Sequence, residues 1–163
     1  MDNFRNCSIE DLNELQSISQ AAYTEAFHNL LDNEDVDEYV KSKYSLDNLK
    51  KELKDISNHF LFLDTDDKTV GYMKYSLKAS SLEIDRLYIL KKYKGMGAGS
   101  KFMNKAEDLL ILNNKKVLTL GVLEMNKPAI SFYTKRGFLR YSDDMVAVGK
   151  TEYHLLLMKK ELQ

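Results

Sequence analysis

The stretch LYILKKYKGMGAGSKFMNKAEDLL, residues Leu87–Leu110, joins an apolar run to an amphipathic one through three closely spaced glycines. Gly95, Gly97 and Gly99 fall close together in a chain that has only seven glycines. A strand that turns at once into a helix leaves the first N–H groups of the helix without internal partners, at the positive end of the helix dipole. An anion can bind there, and glycines keep side chains from blocking it.

A tight strand-to-helix turn is the other explanation of the glycines, and nearby lysines favour the anion site. The P-loop pattern does not fit, because Gly99, Ser100 and Lys101 interrupt the required Gly-Lys-Ser/Thr run. The dinucleotide-binding fingerprint does not fit either, since it needs a glycine where the chain has Ser100. The lysines that surround the glycines are Lys91, Lys92, Lys94 and Lys101.

The hydrophobic periodicity on either side of this stretch predicts a mixed α/β chain. The expected elements before the glycines are a strand (4–8), three helices (12–22, 33–44 and 46–56) and three strands (within 59–90). The expected elements after them are a helix ending at Asn113–Asn114, a strand (116–122), a helix (126–137) and two strands (138–148 and 153–162). A helix between two strands is the layout of a parallel crossover, so we expect a mixed sheet with helices on both faces.

The composition is that of an ordinary globular protein without a disulfide or metal framework. The 163 residues are 44% hydrophobic and 30% charged, and no linker or repeat divides them, so we expect one domain over residues 1–163. The net charge of −1 argues against nucleic acid as a partner. Cys7 is the only cysteine, which favours a reducing, cytoplasmic compartment. No run approaches the roughly 20 apolar residues that a membrane span needs.

The segment KGMGAG, Lys94–Gly99, resembles the acyl-CoA pyrophosphate loop of the GCN5-related N-acetyltransferase (GNAT) family. That loop is written as Arg or Gln, two residues, Gly, one residue, then Gly or Ala. Gly97 and Gly99 match the small positions, Gly95 is an added small residue, and Lys94 replaces Arg or Gln. The segment LGVLEMNKPAISFYTKRGF, Leu120–Phe138, resembles the family's second signature, a strand followed by Asn and an Ala-x-x-Phe-Tyr helix. The resemblance implies an α/β (α+β), GNAT-like fold with a mostly antiparallel, seven-stranded sheet.

A closer resemblance, over most of the chain, is to the PaiA-type bacterial spermidine/spermine N-acetyltransferases. It is carried by SLEIDRLYI (81–89), the second signature and HLLLMKKEL (154–162). It implies acetyl-CoA as cosubstrate, no metal, and direct acetyl transfer to a primary amine, first of all a polyamine. A protein N-terminus, a lysine or an aminoglycoside is the alternative acceptor. A non-catalytic CoA or polyamine sensor is the alternative of another class.

The resemblance also assigns residues to the site. It implies that Tyr133 is the general acid that protonates the departing thiolate, the alternative being an aromatic core residue. Asn126 contacts the CoA arm in the family and can equally be a helix N-cap, and the two roles are compatible. The other residues expected to bind acetyl-CoA are Leu87, Tyr88 and Ile89, where the family's strand bulges, the loop residues Lys94, Gly95, Met96, Gly97, Ala98, Gly99 and Ser100, and Lys135.

The general base is predicted from strand periodicity. Glu83 and Asp85 alternate with apolar residues on the strand before the glycines, so both carboxylates are expected on one face. Glu83 is our candidate base, acting through water. Ion pairing with Arg86, or plain solvent exposure, is the alternative.

The acceptor surface is predicted in the N-terminal third. The acidic run LDNEDVDEYV (31–40) can attract a polycation or form a solvated helix face. Tyr23, Phe27 and Tyr39 can line a cleft or pack in the core. The expected partners are a small-molecule amine and a second copy of the chain, paired through edge strands, and neither nucleic acid nor membrane.

Overall fold

A seven-stranded sheet runs through the computed structural model, which describes residues 1–163. The strands in chain order are β1 (Asp2–Asn6), β2 (Asn58–Thr65), β3 (Lys68–Leu77), β4 (Ser81–Ile89), β5 (Val117–Leu123), β6 (Leu139–Val148) and β7 (Thr151–Glu161). They lie in the order β1-β2-β3-β4-β5-β7-β6, and all neighbours are antiparallel except β4 and β5, which are parallel. The predicted mixed, mostly antiparallel sheet with its single crossover is confirmed.

Five helices cover the sheet. They are α1 (Leu12–Phe27), α2 (Asn33–Lys43), α3 (Leu46–Lys54), α4 (Ala98–Leu112) and α5 (Lys127–Lys135). Ser45 caps α3, since its hydroxyl accepts the N–H of Asn48 at 3.2 Å. Ser8 begins a short 3₁₀ turn before α1, and its N–H donates to the Asp11 carboxylate at 2.9 Å. No helix has both the length and the apolar character that crossing a membrane requires.

The sheet separates two hydrophobic cores. One core lies under α4 and α5, and its fully buried residues include Leu63, Met73, Leu82, Phe102, Met103, Leu110 and Leu118. The other lies under α1, α2 and α3, and its fully buried residues include Leu15, Val36, Tyr44, Leu49, Phe62 and Tyr72. We call these two sides of the sheet the α4 face and the α1 face. The two-sided cover that the sequence predicted is therefore present.

Candidate active site

A cleft opens in the middle of the sheet, where β4 and β5 separate. The two strands pair only over Ser81–Ile84 and Val117–Leu120. Beyond these pairs, β4 continues beside β3 to Ile89, and β5 continues beside β7 to Leu123. The facing edges of the two strands therefore have backbone N–H and C=O groups without a strand partner, and such groups can hydrogen bond an extended ligand.

A β-bulge at Asp85 lies where the separation begins. The neighbouring strand β3 pairs with Ile84 and with Arg86, so Asp85 is the extra residue on β4. A bulge bends its strand and increases the local twist, which directs β4 away from β5. The bulge was expected at Leu87–Ile89, and the structure places it just before that segment.

The glycine loop lies between the end of β4 and the first turn of α4. Gly95 and Gly97 have φ angles of 80° and 82°, and Gly97 is the N-cap of α4. The backbone N–H groups from Gly95 to Ser100 donate no hydrogen bond within the protein. A Cβ at Gly95 or Gly97 would meet no atom within 4 Å, so the loop is open on its outer side. This set of free amides at a helix N-terminus fits the oxygens of a diphosphate.

The lysines around the loop divide into two groups. Lys91, Lys92 and Lys94 are exposed and can add positive charge near the loop. Lys101, which the sequence placed in the same group, forms an ion pair with Asp2 of β1 instead. Its charge is therefore neutralised away from the loop.

Gly99 is required for packing rather than for backbone conformation. A Cβ at this position would lie 3.3 Å from the Phe132 ring and 3.6 Å from the Ile89 side chain, so the glycine lets α4 approach α5 and β4 closely. The interpretation of Gly95 as merely an added small residue is wrong, because its positive φ favours glycine as strongly as that of Gly97.

Helix α5 follows directly on β5 and packs on the α4 face. Asn126 is its N-cap, with its side-chain oxygen accepting the N–H of Ala129 at 3.3 Å, and Pro128 occupies the first turn. The predicted capping role of Asn126 is confirmed. The helix places Phe132 and Tyr133 against the core beneath α4.

Tyr133 combines a packed ring with an unpaired hydroxyl. Its ring centroid lies 5.3 Å from that of Phe132 and 5.6 Å from that of Phe138. Burial raises the pKa of Tyr133 to about 12, and no hydrogen bond contributes to this shift. The hydroxyl is therefore protonated at neutral pH, and its proton is not committed to another protein group.

Glu83 is an unpaired carboxylate on the α1 face of β4. Its neighbours across the strands are Ser76 on β3 and Thr119 on β5. Leu82 and Ile84 pack into the core of the α4 face, so alternation along the strand directs Glu83 to the opposite side. The residue lies in the last paired segment before β4 and β5 separate.

Asp85 and Arg86 have partners that the sequence did not indicate. The Lys74 ammonium lies 2.5 Å from the Asp85 carboxylate, and Arg86 donates two hydrogen bonds, of 2.9 and 2.7 Å, to Glu52 of α3. Burial alone would raise the pKa of Asp85, but the hydrogen bond and charge of Lys74 outweigh it and lower the pKa. No hydrogen bond or ion pair joins Arg86 to Glu83 or Asp85, and Asp85 is engaged by Lys74, which leaves Glu83 as the free carboxylate.

The predicted aromatic residues of the acceptor cleft lie on the α1 face. The Tyr23 ring lies 4.7 Å from that of Tyr39 and 5.9 Å from that of Tyr88 on β4. Tyr23 and Phe27 are only 3% and 6% exposed, so both are core residues. Tyr39 and Tyr88 keep partial exposure. Of the two explanations, core packing therefore holds for Tyr23 and Phe27, and cleft lining stays a prediction for Tyr39.

A polar cluster beyond the end of β5 was missed from the sequence. His154 on β7 contacts the Glu124 carboxylate through Nδ1, and its Nε2 lies 3.7 Å from Asp143 on β6. The three residues follow no spacing motif, and only the pairing of β7 with its two neighbours brings them together. No group of three or more His, Cys, Asp or Glu residues is arranged to hold a metal ion.

The fold and the loop agree with a match to a known family. Residues 14–138 match the model of the acetyltransferase (GNAT) family, and the chain belongs to this family. The resemblance of the two sequence motifs is thereby confirmed. The protein is an acetyl-CoA-dependent N-acetyltransferase of the GNAT type.

Individual relatives cover most or part of the chain. An uncharacterized N-acetyltransferase from the pepI 3′ region of Lactobacillus delbrueckii subsp. lactis is 30% identical over 163 residues, covering 95% of this chain and 94% of that protein. The thialysine N-epsilon-acetyltransferase of Bos taurus is 31% identical over 67 residues, covering 40% of this chain and 39% of that protein. The PaiA N-acetyltransferase of Thermoplasma acidophilum, solved in complex with coenzyme A, has a TM-score of 0.85 at 23% identity, covering 99% of each chain. That likeness shows the shared fold.

Proposed function

We propose that the protein transfers the acetyl group of acetyl-CoA directly to a primary amine of a polyamine such as spermidine or spermine. The observation that carries the donor half of the proposal is the run of unpaired amides from Gly95 to Ser100, next to the free strand edges of the cleft. The choice of a polyamine as acceptor rests on the resemblance of the sequence to the PaiA-type spermidine/spermine N-acetyltransferases. It also rests on the acidic residues around the opposite side of the cleft.

The donor is held mainly by backbone groups. The amides of Gly95–Ser100 bind its diphosphate, and Lys94 and Lys135, both exposed, add positive charge nearby. The free edge of Leu87–Ile89 hydrogen bonds the amides of the pantetheine arm as a neighbouring strand would. Asn126, at the start of α5, contacts the same arm beside its capping bond. The open glycines and unpaired amides make these residues a fit for acetyl-CoA.

Tyr133 is the proposed general acid. Acetyl-CoA, when bound, supplies a thioester whose carbonyl carbon a neutral amine can attack. As the bond between the amine nitrogen and the carbonyl carbon forms, the bond from that carbon to sulfur breaks, and the Tyr133 hydroxyl donates its proton to the leaving sulfur. Solvent then returns a proton to the Tyr133 oxygen. Its pKa of about 12 keeps the proton in place until negative charge develops on that sulfur, so position rather than acidity decides its contribution.

Glu83 is the proposed general base, and the amine approaches from the α1 face. An alkylamine has a pKa of about 10.4, so freeing its lone pair at pH 7 costs roughly 4 to 5 kcal/mol. In this proposal the donor occupies the α4 face, beside α4 and α5, and the amine meets it from the side of Glu83. The Glu83 carboxylate, free of any ion pair, accepts the ammonium proton through water.

We place the entrance for the amine on the α1 face, between α2 and the β6–β7 hairpin, where exposed acidic residues border it. The α2 region and the β6–β7 hairpin contact each other through a hydrogen bond between Asp35 and Tyr153. A polycation is attracted to an entrance with acidic walls, and its several ammonium groups multiply the effect. The exposed acids of these two segments outnumber the exposed bases Lys41, Arg140 and Lys150, and they are Asp32, Glu34, Asp37, Glu38, Asp143, Asp144, Glu152 and Glu161.

A thiol-release assay with acetyl-CoA and a panel of amines tests the proposal. We expect release of CoA with spermidine and spermine, and mass spectrometry should show the acetylated polyamine. If CoA is released only with a peptide N-terminus, lysine or an aminoglycoside, the protein is an acetyltransferase but a polyamine is not its acceptor. If the protein binds CoA tightly but releases no CoA from acetyl-CoA with any amine, it is a non-catalytic sensor, and the proposed catalysis is wrong.

We also propose a homodimer that pairs through the edge strand β6. This strand ends the sheet, and it exposes Leu139, Tyr141 and Met145. An unpaired edge of this kind is a template for a second strand. Light scattering after size exclusion tests the proposal: a monomer at micromolar concentration would contradict it.

A further inference from the structure

We propose that Asp35 is a positioning residue that fixes the width of the amine entrance by tying α2 to the β6–β7 hairpin. The inference rests on the proposed function, because it concerns the opening through which the amine reaches the cleft. Asp35 is remote from the reacting atoms, and it decides how well the amine is held.

The Asp35 carboxylate joins two segments that are far apart in the sequence. Asp35 lies in the first turn of α2 and is 5% exposed. One carboxylate oxygen accepts the N–H of Lys150 at 2.9 Å, and the other accepts the Tyr153 hydroxyl at 2.9 Å. The Tyr153 oxygen in turn accepts the N–H of Asp32 at 3.3 Å. Helix α2 and the hairpin are therefore connected by hydrogen bonds that run in both directions.

The turn of the hairpin lies directly on this carboxylate. Gly149 has a φ of 61°, and a Cβ there would lie 2.5 Å from both the Cα and the Oδ1 of Asp35. No real Cβ fits at that distance, so the glycine permits the hairpin backbone to contact α2. The contact is thus built into the backbone of both segments.

From α2, aromatic contacts lead to the β4 side of the cleft. Tyr39 of α2 stacks on Tyr23 of α1 at a ring distance of 4.7 Å. The Tyr23 ring meets the Tyr88 ring edge-on at 5.9 Å, and Tyr88 lies on the part of β4 that has separated from β5. The position of α2 is thereby coupled to one wall of the cleft.

From the hairpin, contacts lead to the β5 side. Leu155 lies two residues after Tyr153 on β7, and its side chain covers Gly121. A Cβ at Gly121 would lie 2.9 Å from the Leu155 Cδ2 atom. Gly121 is the first β5 residue beyond the segment paired with β4. The position of the hairpin is thereby coupled to the other wall.

These two series of contacts, one through α2 and one through the hairpin, meet at Asp35. Loss of its carboxylate frees the hairpin from α2, and the walls on the α1 face can then move apart. The amine is consequently held less well, and amines of different length are distinguished less sharply. The amide loop and α5 on the α4 face contain none of these residues, and Tyr88 meets the donor only through its backbone, which β3 holds in register, so we expect CoA affinity to change little.

Replacement of Asp35 by Asn tests the inference, with Glu34→Gln as the matched control. Glu34 lies on the same turn, is exposed and loses the same charge on substitution, so this variant measures what the loss of one entrance charge does without the loss of the hydrogen bonds. In Asp35→Asn, we expect the KM of the amine to rise about tenfold, because an amide replaces a charged acceptor and the wall is displaced. We expect kcat and the Kd of CoA to change by less than about twofold, and the ratio of kcat/KM between spermidine and a shorter diamine to fall toward one.

A second variant and a second measurement distinguish loss of this connection from general misfolding of Asp35→Asn. Tyr153→Phe removes two of the three hydrogen bonds and keeps the carboxylate with its bond from the Lys150 N–H, so we expect a smaller rise in the same KM. Amide hydrogen exchange reports the connection without turnover. Residues 146–155 should exchange faster in Asp35→Asn than in Glu34→Gln, while residues 98–112 should be the same in both.

Two results would overturn the inference. One is an amine KM and an exchange pattern in Asp35→Asn equal to those of Glu34→Gln. The other is a fall in kcat or in CoA affinity as large as the change in the amine KM, which indicates general damage. If the wild-type protein acetylates no amine, the proposed function fails, and the exchange measurement alone decides whether Asp35 holds the hairpin.

Discussion

The two faces of the cleft bind their ligands by different means in our proposal. On the α4 face, the donor is held by backbone amides of one continuous segment, Gly95–Ser100. On the α1 face, the entrance depends on side chains from distant segments: Asp35 and Tyr153 are 118 positions apart, and Glu52 and Arg86 are 34 apart. A backbone site tolerates changes of side chain, whereas a side-chain site does not. The same donor site can therefore serve different acceptors, and variants of each face should have separable effects.

The largest effect is expected from Tyr133→Phe on the α4 face. Loss of the general acid should lower kcat about a thousandfold, within the range for positioned acid–base groups. The Kd of CoA should not change, because the ring still packs against Phe132 and Phe138. Stopped-flow thiol release measures kcat, and the exposed Tyr141→Phe is the control. An unchanged kcat would remove Tyr133 from the mechanism.

The pH profile sharpens this test. The raised pKa of Tyr133, about 12, means that the acid stays protonated over the whole range in which the protein is assayed. Any loss of kcat between pH 7 and pH 10 must therefore come from another group, and the Tyr133→Phe variant should show the same loss. A loss in the wild type that disappears in the variant would contradict the assignment.

The second-largest effect is expected on the free energy of unfolding, from loss of an ion pair on the α1 face. Glu52→Ala leaves the guanidinium of Arg86, which is 5% exposed, without its two hydrogen bonds. Breaking a buried ion pair in this way should cost about 3 kcal/mol of the free energy of unfolding. Urea denaturation measures the loss, and Glu38→Ala, on an exposed helix position, is the control. Equal stability of the two variants would mean that the pair contributes nothing.

Gly97→Val tests the backbone site. A β-branched residue at a φ of 82° is strained by about 1 to 2 kcal/mol, and relief of that strain would turn the loop amides away from the diphosphate. We expect the Kd of CoA to rise about tenfold, with the amine KM unchanged. Isothermal titration measures the affinity, with Ser100→Ala as the control that keeps the amide. If the amine KM rises together with the Kd of CoA, the two faces do not bind their ligands independently.

The smallest effect is the acid dependence of stability at Asp35. The pKa of this carboxyl is lowered, first by the Thr151 hydroxyl and then by the Lys150 N–H, with the Tyr153 hydroxyl adding to both. A lowered folded-state pKa means that the stabilisation is present above the unfolded-state value, about 3.9, and is lost as the pH falls through the folded-state value. The stability difference between wild type and Asp35→Asn should therefore narrow below about pH 4. Urea midpoints at neutral and acidic pH check this, and a difference that grows on acidification would contradict it.

The donor side could be predicted from the sequence, because its parts are local. Gly97, Asn126 and the helix of Tyr133 follow from short motifs and helix capping, and the structure places them as expected. Gly95 was undervalued because a positive φ leaves no trace in a spacing pattern.

The acceptor side could not be predicted in the same way. The bulge at Asp85 interrupts the alternation along β4, and no periodicity indicates where a strand takes an extra residue. The contact of Asp35 with Tyr153 arises only when α2 and the last hairpin pack together. In the sequence, Asp35 is one acid in an acidic run, and nothing distinguishes it from its exposed neighbours.

Initial-velocity kinetics distinguish direct transfer, between a donor on the α4 face and an amine on the α1 face, from transfer by way of an acetylated protein. Acetyl-CoA and spermidine are varied together, and double-reciprocal plots are drawn for the wild-type protein. Direct transfer requires both substrates to be bound at once, so we expect intersecting lines, with CoA competing against acetyl-CoA and not against spermidine. Parallel lines would show that the acetyl group first moves to the protein, and direct transfer would then be wrong.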